Sequence, residues 1–265
     1  MDSDLYVPRS WIDDPKRCEE AGIPLDLAFR TQCQMALEQV KRALGNGMRL
    51  DWIGFDEGYG GKPSFLLGLE AMGQTFIGEV PKNFRCFSAP PKYPSLQRPY
   101  VAKEARNLAR HGKSFAGKSW KTYRVRHKTV ADSFWKVQAG RVDISVAGQC
   151  HDRAYGLIVA KKTGTGEIKY FISNAPLRTS VKRMLAAAFS RWGIEHWFRV
   201  AKTQIGLGHD EGRHDRGLLR HMMLGQRTLL FVAEQTERLR GEKPAVDEGT
   251  GGAGAERDLP SVAAA

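Results

Sequence analysis

Two acidic residues stand where the local pattern presents a carboxylate instead of burying it. Asp56 ends the apolar run Leu50–Phe55 and opens the glycine-rich turn DEGYGG. Open α/β sheets gather ligands at the carboxyl ends of their strands, so the position suits a functional carboxylate. The same residue type also caps a following helix or shapes a turn, and both roles stay open. Gly58, Tyr59 and Gly60 do not make a phosphate loop, because no Gly-Lys-Ser/Thr follows. Glu195 sits in RWGIEHWFRVAKTQIGL. At about 100° per residue, Arg191, Glu195 and Lys202 fall on one stripe of a helix. The stripe is either an exposed i, i+4 ion pair with an unrelated lysine beyond it, or a carboxylate flanked by cations suited to phosphate.

The charge adds a third feature. The chain has 265 residues, with 41 Lys+Arg against 29 Asp+Glu, a net +12. Between Lys82 and Lys128 there are 13 bases and one acid, so this segment holds the whole excess. Phe84, Phe87, Tyr93, Tyr100, Phe115, Trp120 and Tyr123 are interleaved with them. A basic block with aromatics fits a polyanion, nucleic acid first, and Lys118, Lys121, Arg124 and Arg126 are the expected contacts. The plainer reading is a solvated basic face. Cys18, Cys33, Cys86 and Cys150 have no C-x-x-C spacing, which argues against a zinc knuckle or a disulfide framework and for a reducing cytoplasm. His209, His214 and His221 have no cysteine nearby to complete a zinc site. No run approaches the roughly 20 apolar residues of a membrane span, and the start lacks the pattern of a signal peptide.

The elements that must position these residues follow from periodicity. Residues 25–46 read mostly as helix. Leu50–Phe55, a turn, a helix over Ser64–Met72 and a strand over Thr75–Val80 make a β-turn-α-β pattern, hence a parallel pair. Five prolines from Pro81 to Pro99 change the texture. The runs 120–125, 132–137, 141–146, 155–161 and 168–172 then read as strands, with a hairpin around 162–166, and 82–174 reads as a separate β-rich unit. Helical patterns return over Ser180–Lys202 and about 217–240. Trp192, Trp197 and Phe198 read as core, and Leu218 to Val232 as a buried helix. The tail beyond 240 is rich in Gly, Ala and acid and reads as disordered.

The markers LYVPRSW with AGIP, FDEGYG, KYFISNAP, RWGIEHWFRVAKTQIGLGHDEGR, RHMML and LRGEKP occur in this order. Together they resemble the DDE-type insertion-sequence transposases, in the subgroup with a β-rich insertion before the last acid, over most of residues 5–244. The resemblance implies an α/β fold, a partial RNase H-like core whose first strands are missing. Its first part would be 1–81, interrupted by a basic β-rich insertion at 82–174, with C-terminal core helices at 175–240 and a disordered tail at 241–265. In that family three carboxylates hold two divalent cations, usually Mg²⁺, with Mn²⁺ as a substitute. Asp56 matches the second acid and Glu195 the third. Arg191 and Lys202 match the Arg and Lys of the subgroup's signature, whose Tyr is Ala188 here. The implied function is DNA transposition by metal-dependent strand cleavage and transfer. The implied partners are transposon ends and target DNA, bound by a homodimer in a bacterial cytoplasm. The first acid of the family lies upstream of LYVPRSW, which begins here at Leu5. The resemblance therefore implies a chain truncated at its amino end, expected neither to transpose nor to nick DNA usefully alone unless another acid, such as Asp51 or Glu57, fills the vacant position. The alternative function is a non-catalytic DNA-binding transposase fragment.

Overall fold

A computed structural model describes residues 3–88, 101–125, 132–241 and 262–264. The chain divides into two compact units, one of Met1–Ala43 with Trp192–Arg257, the other of Leu44–Arg191 with Asp258–Ala265. These limits differ from the segments expected from the sequence: the first 43 residues group with the late helices, and 44–81 with the β-rich segment.

The first unit opens with α1 (Arg9–Ile12), α2 (Pro15–Glu20) and α3 (Gln32–Gly45). Asp14 accepts the Arg17 N–H at 3.1 Å and Pro15 fixes the first turn, so α2 starts there. α3 starts at Gln32, not near residue 25, because Thr31 and Gln34 form a reciprocal cap. Thr31 Oγ1 accepts from the Gln34 N–H at 3.2 Å, and Gln34 Oε1 from the Thr31 N–H at 2.8 Å. Arg30 fastens the segment ahead of α3 through Asp4 (3.0 Å) and Glu38 (2.7 Å).

The second unit is built on one mixed sheet. Its elements are β1 (Ile53–Phe55), α4 (Glu57–Gly60), α5 (Pro63–Ala71), β2 (Phe76–Val80), β3 (Arg85–Phe87), β4 (Lys103–Glu104), α6 (Ala105–His111), β5 (Lys121–Val125), β6 (Ser133–Val146), β7 (Gln149–Lys162), β8 (Ile168–Ser173), α7 (Val181–Ser190) and β9 (Val262–Ala264). The strand order is β1-β2-β8-β7-β6-β3-β4, with β5 on β6 and β9 on β5. β1 and β2 are parallel, as the β-turn-α-β pattern predicts, and the other pairs are antiparallel. The strands of 82–174 do not form a sheet of their own. β8 pairs with β2 on one side and β7 on the other, and the apolar strand β2 is buried between β1 and β8. Of the tail, 242–261 lie outside the described residues, while Val262–Ala264 form β9 along the edge of β5, where unpaired backbone groups accept a further strand.

The runs 132–137 and 141–146 fuse into one strand. Gly140 is not a break: a Cβ there would lie 2.7 Å from the Phe115 ring, so glycine admits that ring against the sheet. β6 returns into β7 through Ala147 and Gly148, both at positive φ (49° and 84°), as a tight hairpin requires. On one face α7 buries Leu185 and Phe189 against Ile77, Trp135, Ile158 and Phe171. On the other, Phe55 packs with Phe65 of α5 and Phe76 of β2.

The helix expected over Ser180–Lys202 is two, α7 and α8 (Trp192–Gln204). Ser190 Oγ turns back to donate to the Ala187 carbonyl at 2.7 Å, and Gly193 is a poor helix former. α9 (Asp215–Gly241) follows. It is not the buried helix expected: Leu229 is buried, but Leu224 is 66 % and Phe231 60 % exposed. The 13 residues of α8 cannot cover the 27 of α9; Leu207, just past α8, meets α9 at Gly225. Phe198 is likewise 45 % exposed, not core. No described helix is long and apolar enough to cross a membrane.

The tightest contact in the sheet unit is at Gly78, where an added Cβ would fall inside the Phe55 ring. Gly78→Ala should therefore destabilise the protein by about 1–3 kcal/mol, as overpacking does, read as a lowered midpoint in chemical denaturation. An unchanged midpoint would contradict this packing.

Candidate functional site

Asp56 follows β1 at its carboxyl end and is exposed. It is the N-cap of α4: Oδ1 accepts the N–H of Gly58 at 3.0 Å and of Tyr59 at 3.3 Å. Among the described residues its other oxygen has no hydrogen-bond partner. The carboxylate is thus fixed through one oxygen and presented through the other, so capping leaves an oxygen for a ligand. What fixes the turn lies beneath it. Gly60 rests directly on the Glu79 carbonyl of β2, where a side chain would collide. α5 is tied to β7 through Glu70, which accepts from Tyr155 Oη and pairs with Arg153. Burial first, then the Glu70 bond, raise the Tyr155 pKa, so it stays a neutral donor.

The stripe read from the sequence is divided. Arg191 is the C-cap of α7 and belongs to the sheet unit; its Cβ lies 3.9 Å from where a side chain on Gly54 of β1 would begin. Glu195 and Lys202 are both exposed on α8 in the helical unit, seven residues apart and hence on one stripe. Glu195 lies in the first turn of α8, where a carboxylate also favours the helix dipole.

The basic residues do not form one patch either. Lys121 lies opposite Val137 on the α7 face of the sheet, whereas Arg124 lies opposite Phe134 on the other face. Arg124 is paired with Asp132 at 2.6 Å. Lys118 donates to the Ala139 carbonyl at 2.8 Å and anchors its turn to β6. Arg126 lies outside the described residues.

Residues 1–133 match the DDE superfamily endonuclease family. The chain belongs to that family. No curated protein matches it. The matched stretch includes β1, Asp56 and the parallel β1–β2 pair. DDE endonucleases typically use divalent metal ions. Asp56 offers the hard oxygen ligand that such an ion prefers, but among the described residues no three His, Cys, Asp or Glu side chains converge on a metal-sized site. Cys86 is no nucleophile, since burial pushes its thiol up to about 12.

LYVPRSW, AGIP and GHDEGR come together in a way that their sequence does not show. They line one cavity of about 580 Å³ in the helical unit, with the Arg17 guanidinium 3.9 Å from the Trp11 ring at its wall. Asp215 N–H donates to the Ala21 carbonyl at 2.8 Å and closes it. No spacing signal joins segments so far apart.

Asp56→Ala should cost about 0.5–2 kcal/mol through the lost cap, and Asp56→Asn only a few tenths, since Asn caps equally well. Denaturation of the two variants checks this; equal losses would mean that the capping bonds contribute nothing.

Proposed function

We propose that this chain is a DNA transposase polypeptide of an insertion sequence. It acts in the cytoplasm on transposon ends and target DNA as a homodimer, and Asp56 and Glu195 are two of its reactive carboxylates. The observation that carries the proposal is Asp56 itself: an exposed carboxylate at the carboxyl end of β1, oriented by two backbone amides, in a chain of the DDE family. Bound Mg²⁺ or Mn²⁺ would supply activation of water and stabilisation of the leaving oxygen. Asp56 and Glu195 would be its ligands. Arg191, at the edge of the sheet unit, and Lys202, on the stripe of Glu195, would hold phosphates near these acids. The segment 82–174 would be the insertion of the RNase H-like core. Its bases would bind DNA largely by releasing counterions.

The second reading, DNA binding without cleavage, separates from the first in one experiment. Purified protein is titrated onto labelled duplex DNA and incubated with supercoiled plasmid in Mg²⁺ or Mn²⁺. Salt-dependent binding is expected, retained within about threefold in Asp56→Asn and Glu195→Gln, because removing a surface carboxylate does not remove a phosphate contact. Nicking that both substitutions abolish supports the catalytic reading. Full binding without nicking supports the non-catalytic one, and no binding contradicts both.

A further inference from the structure

The basic segment that dominates the sequence is not the only cationic surface of the sheet unit. On the face opposite α7, the register sets Thr122, Lys136, Lys161 and Ile168 in one row across β5, β6, β7 and β8. Lys136 and Lys161 are direct cross-strand partners, both exposed. Neither has an ion-pair partner among the described residues. Like charges directly opposite on neighbouring strands oppose pairing, and this row contains no carboxylate to relieve them. The next row outward sets Arg124 opposite Phe134, which is 42 % exposed; Ile168 is 44 % exposed. Asp132, next to the neighbouring row, is engaged by Arg124, and Glu167, next to Ile168, by Lys169. The row inward is closed by the turn carrying Lys118, whose backbone carbonyl accepts from Gln138 at 2.6 Å. Beyond it Tyr170 lies within the field of Arg110 on α6.

We infer that this open face, centred on the Lys136–Lys161 pair with Phe134 and Ile168 beside it, is a docking surface for the phosphodiester backbone of DNA. The inference rests on the DNA-binding reading above and adds a surface to it. Two lysines at directly paired positions, with no ion-pair partner among the described residues, present a concentrated positive field that a polyanion neutralises. The exposed ring and aliphatic chain beside them offer apolar contact to the sugars. Strand alternation confirms the direction of the pair: Lys162, the next residue, lies on the opposite face against the Trp135 ring.

The test compares three forms of the full chain by fluorescence anisotropy on a labelled duplex over a series of salt concentrations. They are the parent, Lys136→Gln/Lys161→Gln, and Lys16→Gln/Lys41→Gln, which makes the same charge change on the helical unit. The sheet pair should lose at least about tenfold in affinity at low salt, and its log–log salt slope should fall by about 1.8, near 0.9 for each phosphate contact. Its midpoint of thermal unfolding should not fall, since a repulsion has been removed. The helical pair should change neither affinity nor slope. An unchanged slope in the sheet pair, or equal losses in both pairs, overturns the surface while leaving DNA binding intact. Absence of binding by the parent overturns both.

Discussion

Phe55 occupies the space where a side chain on Gly78 would be. This one close approach ties the end of β1 to the middle of β2. The two strands run parallel and share only the pairs Ile53–Phe76, Gly54–Ile77 and Phe55–Gly78. Three residue pairs hold a strand weakly. The ring adds the missing constraint by packing on Phe65 and Phe76, with centroids 5.4 and 5.6 Å away. With Phe55 fixed, the next residue has one place to go. Asp56 leaves the sheet at its carboxyl end and caps α4, whose last glycine lies on the backbone of β2. The position of the carboxylate is therefore a consequence of core packing and not of a flexible loop, the arrangement a preorganised site needs.

The same sheet carries the electrostatics. Alternation along β5 sends Lys121 and Arg124 to opposite faces, so a count of bases along the sequence does not map onto one surface. Arg124 and Lys118 are already engaged, with Asp132 and with a backbone carbonyl. Lys136 and Lys161, which have no ion-pair partner among the described residues, lie beyond the segment that holds the net charge. A long hairpin brought them together, and only register reveals it.

Much of the local structure around Asp56 is legible in the sequence. An apolar run ending in Asp before a glycine-rich turn gave the strand end, the turn and the parallel pair, because period-2 burial and glycine chemistry are local. The family was legible from ordered motifs, and residues 1–133 bear it out. The break at Arg191 was not legible, since its φ and ψ of −54° and −28° remain helical and apolar periodicity runs straight across it. The fusion of two runs into β6 was hidden by Gly140, which serves the ring of Phe115 instead of a turn. The exposure of α9 was hidden because periodicity reports an apolar face without reporting whether a partner exists to cover it.

A crystal structure of the protein grown with Mn²⁺ tests whether the two proposed ligands, Asp56 and Glu195, take one divalent cation. An anomalous peak should appear with oxygens of both carboxylates in its coordination shell. Two-metal sites hold their ions only about 3.5–4 Å apart, so the two carboxylates should then lie within roughly 12 Å of each other. Carboxylates farther apart than that, or manganese bound only elsewhere, would rule out a shared ligand role for Asp56 and Glu195.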